Sequence, residues 1–138
     1  MGARSGSLAV ILLSFALLGP ARPLGAQSSA LVARQATPAS VLKAALRSLA
    51  AAQERYRAAN GRYADAVNPL AVRLEPGVRL DVLGASASGW QGRAAHQAMP
   101  GRSCVMFVGS LGAAEAPRTD GDHQMAGEEG IPLCDWMR

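Results

Sequence analysis

Apolar and polar positions change their period along the chain, first at helical and then at strand spacing. Over residues 37–60 (TPASVLKAALRSLAAAQERYRAAN), Leu42, Ala45, Leu46, Leu49, Ala52 and Tyr56 recur at three- and four-residue steps. That spacing sets side chains along one face of an α-helix. Lys43, Arg47, Glu54 and Arg57 fall mostly on the opposite side. Thr37 precedes the run as an N-cap, and Pro38 takes the first helical position, where a missing N–H costs no hydrogen bond. Asn60 and Gly61 end it, since glycine readily takes the left-handed conformation that closes a helix. The pattern predicts one helix of about 22 residues, about 33 Å long.

Beyond residue 77 the period becomes two. Val78, Leu80 and Val82 alternate with Arg79 and Asp81, as in a strand with one buried face. GASASG (84–89) reads as a turn, WQGRAAHQA (90–98) as a second strand, and MPGR (99–102) as another turn. SCVMFVGS (103–110) is nearly continuous in apolar residues, the mark of a central strand. Residues 111–130 are Gly-rich, acidic and without period, and predict a long surface loop. IPLCDW (131–136) returns as a short edge strand, where Pro132 is tolerated because no ladder bond is needed. The order predicts an α+β fold, one long helix packed on a three- or four-stranded antiparallel sheet.

The front of the chain has a different character. Residues 8–18 (LAVILLSFALL) form an uncharged apolar run preceded by Arg4 and followed by Gly19, Pro20 and Pro23. A membrane-spanning helix needs roughly 20 such residues. Eleven suits the apolar region of a secretory signal, and LGAQ offers a cut after Ala26, with Ala21 and Ala30 as alternatives. An uncleaved anchor is the competing reading. The expected division is a signal peptide at 1–26, a short tether at 27–36, and a globular domain at 37–138. Localisation is expected to be periplasmic or extracellular, with no membrane span after cleavage and no lipid-modified amino terminus.

Composition adds little about partners. Thirteen of the fourteen basic residues are arginine and alanine is abundant, a bias that coding composition produces without a nucleic-acid partner, and none is expected. Residues 34–102 carry ten basic against four acidic side chains, and residues 103–138 carry six acidic against two basic. Such a charge dipole orients subunits or steers a partner, or is ordinary solvated surface. Cys104 and Cys134 are the only cysteines. In an exported chain pairing is the default reading, worth roughly 3 to 4 kcal/mol for a loop of this length. A catalytic or metal-binding thiol pair is the rival, without a CxxC spacing to favour it.

Tyr56 lies on the apolar stripe and Tyr63 follows the helix terminator, so the chain folds back over the helix end. Each ring buries its body and keeps its hydroxyl wet, joining helix to sheet. LRSLAAAQERYRAANGRYA, GVRLDV, SGWQGRAAH, SCVMFVGS and EGIPLCDW, in this order over residues 41–136, resemble the globular domains of type IV pilins and pseudopilins. The resemblance implies a pilin-like fold, with Tyr56, Gly61, Tyr63 and Trp90 in structural roles and Cys104–Cys134 as the carboxyl-terminal disulfide. The amino terminus departs from that family. Ile11 stands where a pilin carries a glutamate, and Pro20 ends the apolar run early. The expectation is therefore a detached, soluble and mostly monomeric head that contacts envelope, pilus or secretion proteins.

Candidate chemistry is sparse. No HExxH, GxSxG or glycine-rich phosphate loop occurs. His96 falls in a strand. Asp120, Asp122 and His123, with Glu128 or Glu129, offer oxygen and nitrogen atoms to a hard cation such as calcium, but match no complete binding loop. Ser40, Ser48 and Ser110 have no visible base partner. The first reading is a non-enzymatic binding or accessory assembly module of the bacterial cell envelope, requiring no cofactor. The alternative is a small exported hydrolase or metal-dependent enzyme using His96, His123 and the acidic loop. Spatial convergence of those groups separates the two.

Overall fold

Thr37 begins the helix as its sequence position requires, its hydroxyl accepting the Ser40 N–H at 3.2 Å. The helix, α1, runs Pro38–Asn60. Gly61 closes it at φ 72°, donating its N–H to the Arg57 carbonyl at 2.8 Å. A short 3-10 turn (Asn68–Leu70) leads to four strands, β1 (Val78–Ala85), β2 (Gly89–His96), β3 (Ser103–Gly109) and β4 (Leu133–Cys134). These elements come from a computed structural model that describes residues 37–137. The signal peptide and tether expected at 1–26 and 27–36 lie outside the described residues.

The strands form one antiparallel sheet in the order β1-β2-β3-β4. Helix α1 packs mainly over β2 and β3, so the α+β expectation of one helix on an antiparallel sheet holds. Leu42, Leu46 and Leu49 are fully buried against Trp90, Ala94 and Met106. Each such apolar side chain contributes about 1.5 to 3 kcal/mol on leaving water. The sheet's other face is covered over β3. Val105 is fully buried although it alternates with the helix-facing Cys104 and Met106. Burial on both faces is the physical reason β3 reads as an unbroken apolar run.

The connection from α1 to β1 is fixed by a polar residue inside the apolar stripe. Gln53 is fully buried. Its Nε2 donates to the Ala64 carbonyl and its Oε1 accepts the Ala64 N–H, each at 2.8 Å. One amide thus satisfies both backbone groups of a buried residue, as a neighbouring strand would. Gln53→Met keeps the volume and removes both bonds, leaving the Ala64 N–H and C=O unpaired. The expected loss is about 2 to 4 kcal/mol, taking 1 to 3 for each orphaned group with partial relaxation. Urea unfolding checks it, and a midpoint unchanged from wild type would show that Ala64 finds other partners.

At the far end of the sheet Gly109 has φ 66°, and a Cβ there would overlap the Ser88 carbonyl oxygen. The close approach of the β2 and β3 ends therefore requires glycine at this position. It also lets the Glu129 carboxylate accept the Gly109 N–H at 2.7 Å.

Candidate functional site

Residues 110–132, between β3 and β4, fold onto the face of the sheet opposite α1. They are held there by acidic side chains that receive protein donors. Asp135, just past β4, is 3% exposed. Its Oδ2 accepts the N–H groups of Ser103 (2.8 Å) and Gly121 (2.9 Å), and its Oδ1 accepts that of Asp122 (2.6 Å). Burial alone would push this carboxyl up. The Thr119 hydroxyl and the N–H groups of Asp122, Ser103 and Gly121 outweigh it, and the pKa lies below the ordinary carboxylate value.

The neighbouring acids are also engaged. Asp122 accepts the Trp136 N–H at 2.7 Å and pairs with Arg102 at 2.7 Å. The Trp136 N–H first and the Arg102 guanidinium second hold its pKa low. Asp120 pairs with Arg93 at 3.0 Å, and Arg93 reaches across to Asp81 at 2.9 Å. The hydrogen bond to Asp81 is the main reason the Arg93 pKa is raised, with Asp120 adding to it against partial burial. Of His123, the backbone carbonyl accepts from Arg118 at 3.3 Å, and the residue adopts φ 54°. Among the described residues no group of three or more His, Cys, Asp or Glu side chains is placed to hold a metal ion.

The segment expected as a plain surface loop contains a small hairpin. Arg118 bridges Met125, Thr119 donates its N–H to the Gln124 carbonyl at 2.9 Å, and Ala126 donates to Pro117 at 2.9 Å. Thr119 and Ala126 are buried. The Cys104–Cys134 disulfide joins β3 to β4 behind this hairpin, within the antiparallel pair. Around it Met125, Ile131 and Trp136 stand exposed, Trp136 most of all at 73%.

His96 lies on the other side of the sheet. It lines an open cavity of about 650 Å³ with Val41, Ala44 and Ala45 of α1 and Arg73, Glu75 and Pro76 of the segment before β1. Its Nδ1 accepts the Ala98 N–H at 3.1 Å, which leaves Nε2 as the protonated nitrogen, 3.2 Å from the Pro76 carbonyl. Both ring nitrogens thus serve the backbone. His96 faces the helix, whereas Arg93 and Asp120 lie on the opposite face, so the structure does not bring His96 together with the acids of the loop. Ser40 and Ser48 line the His96 cavity, and the Ser40 hydroxyl donates to the Thr37 carbonyl at 2.7 Å. Ser110 is exposed, and its hydroxyl accepts the Gly112 N–H at 3.2 Å. Glu128 is exposed.

The aromatic residues lie at the helix–sheet junction. Trp90 is fully buried and Tyr56 is half-buried against the same core. Tyr63, 5% exposed, donates its hydroxyl to Glu54 at 2.8 Å, with the Arg57 guanidinium 5.3 Å from the ring centre. Burial first, and then the Glu54 carboxylate, raise its pKa. Gln53, Ser103 and Asp135 are the structural anchors that the sequence pattern does not reveal. Gln53 alone carries a signal, a polar residue seven positions after Leu46 and four after Leu49 on the apolar stripe. Neither a protein-family model nor a characterised protein matches the chain.

Proposed function

We propose that this chain is an exported, non-enzymatic pilin-like domain that acts as a binding or accessory assembly module in the bacterial cell envelope, related to type IV pili or type II secretion. The observation that carries this is the Cys104–Cys134 disulfide, which ties the last strand to β3 and closes an ordered loop onto the sheet face away from the helix. The order of helix, antiparallel meander, loop and disulfide-held last strand is what the resemblance to pilin heads implies. A disulfide also suits an oxidising compartment, and no described helix is long and apolar enough to cross a membrane. The non-enzymatic part is supported by His96, whose two ring nitrogens are occupied by backbone groups on the face away from the acids of the 110–132 loop.

Partner contact falls to the loop face, where Ile131 and Trp136 are exposed beside the paired acids. A photo-crosslinking amino acid placed at Trp136 in the native host tests this. Adducts with pilus, secretion or other envelope proteins are expected. Adducts confined to cytoplasmic proteins, or a protein whose intact mass starts at Met1 and which remains in the cytoplasm, would sink the proposal.

A further inference from the structure

Strand β1 is an edge of the sheet, and its open side has no backbone partner among the described residues from Arg79 to Ala85. Gln97 donates its N–H to the Gly77 carbonyl at 2.9 Å, on the β2 side. Backbone groups alternate along an antiparallel strand, so Gly77, Arg79 and Asp81 aim theirs at β2, and Val78, Leu80 and Val82 aim theirs outward. The Val78 N–H is taken by the Glu75 carbonyl at 3.1 Å. The outward groups left are the Val78 carbonyl and both groups of Leu80 and Val82. A register shift between Val82 and Gly84 bends the strand beyond that point.

Residues 78–82 read VRLDV. Turned antiparallel about Leu80, this stretch is complementary to itself. Leu80 meets the Leu80 of a second copy, Val78 meets Val82, and Arg79 meets Asp81 twice. The backbone matches as well. The two Leu80 residues exchange N–H···O bonds, and each Val82 N–H meets the free Val78 carbonyl of the other copy. Only the Val78 N–H is absent from the ladder, and it already has a partner. On the outer face Arg79 is exposed and makes no ion pair among the described residues. Asp81 uses Oδ2 for both of its contacts with Arg93, which leaves Oδ1 for a second cation. Opposite charges directly across an antiparallel pair attract, and like charges repel.

We propose that β1 is a homodimerisation edge, on which a second copy of this chain adds its own β1 to make a continuous eight-stranded sheet about a two-fold axis between the two facing Leu80 residues. An interface this small gives a weak, reversible dimer in place of the monomer expected from the sequence. It does not depend on the pilin-like reading, because it uses only the edge strand and its charges.

Sedimentation velocity over a concentration series, on the protein purified from its host, is the test. The apparent mass is expected to rise toward twice the monomer, less steeply in high salt. Arg79→Asp and Asp81→Arg each set like charges opposite one another and are expected to weaken self-association about tenfold or more. Mixing the two variants restores both opposite-charge pairs and with them the dimer, which a folding defect in either variant would not do. Amide hydrogen exchange at Leu80 and Val82 slows as concentration rises. A protein that stays monomeric throughout, or variants that associate as wild type does while their mixture gains nothing, would overturn self-pairing. Protection of these amides only on addition of another envelope protein would overturn it too, and assign the edge to a different strand.

Discussion

Asp135→Asn is expected to lower the stability of the domain by about 2 to 4 kcal/mol, taking 1.5 to 3 for each hydrogen bond to a charged group that is lost. The carboxylate has two acceptor oxygens and uses both, Oδ2 for Ser103 and Gly121 and Oδ1 for Asp122. An amide of the same shape has a single oxygen. Its NH2 group would face either one N–H or two, donor against donor, in a site that is 3% exposed. The loss also has a pH signature. The Asp135 carboxyl lies below its ordinary value in the fold, so it binds protons more readily unfolded, where its pKa is about 3.9. Its stabilisation is therefore fully present above about pH 4 and fades as pH falls through the lower folded value. Asp122 shifts in the same direction, through the Trp136 N–H and Arg102. The gap in stability between wild type and Asp135→Asn should narrow below about pH 4. Urea unfolding at neutral pH and at pH 3 measures it, and equal midpoints at neutral pH would show that the donors find water instead.

The contrast between Asp135 and the helix shows which parts of this fold are written locally. Thr37, Pro38 and Gly61 mark the ends of α1 because capping is a matter of neighbours three or four residues apart. Strands β1 and β3 are legible for the same reason, since alternation in the one and an unbroken apolar run in the other are properties of adjacent positions. Gln53 and Asp135 act over longer separations. Gln53 reaches Ala64 and Asp135 reaches back to Ser103, and nothing beside either residue states its partner. The hairpin at 117–126 has no apolar period because, although Thr119 and Ala126 are buried, its order comes largely from backbone bonds and from Asp135. The acids of that loop illustrate the limit most clearly. In sequence, Asp120, Asp122 and His123 cluster as cation ligands would, while in the fold Asp120 goes to Arg93 and Asp122 to Arg102. The self-complementary VRLDV was legible as a strand, but only the sheet order makes it an edge.

Cys134→Ser should cost about 2 to 5 kcal/mol, the range for a disulfide lost from a small domain, and the loss should concentrate in the last third of the chain. Strand β4 is two residues long and pairs only Cys134 with Cys104 and Leu133 with Val105. Beyond the disulfide it is held by the Asp135 N–H on the Ser103 carbonyl at 3.0 Å and by the Asp135 side chain. Without the covalent tie, residues 110–137 lose their firmest attachment to β3, and the hairpin on the outer face loses its second anchor. Limited proteolysis is expected to cut between residues 110 and 132 before the helix and β1–β3 are attacked. Disulfide and carboxylate hold the same segment, so their removal should not be additive. Once the segment has detached, Asp135 no longer reaches Ser103, and the double variant Cys134→Ser/Asp135→Asn should lose clearly less than the sum of the single losses. Urea unfolding of the four proteins closes that cycle. Fully additive losses would show that the two anchors act on separate parts of the fold.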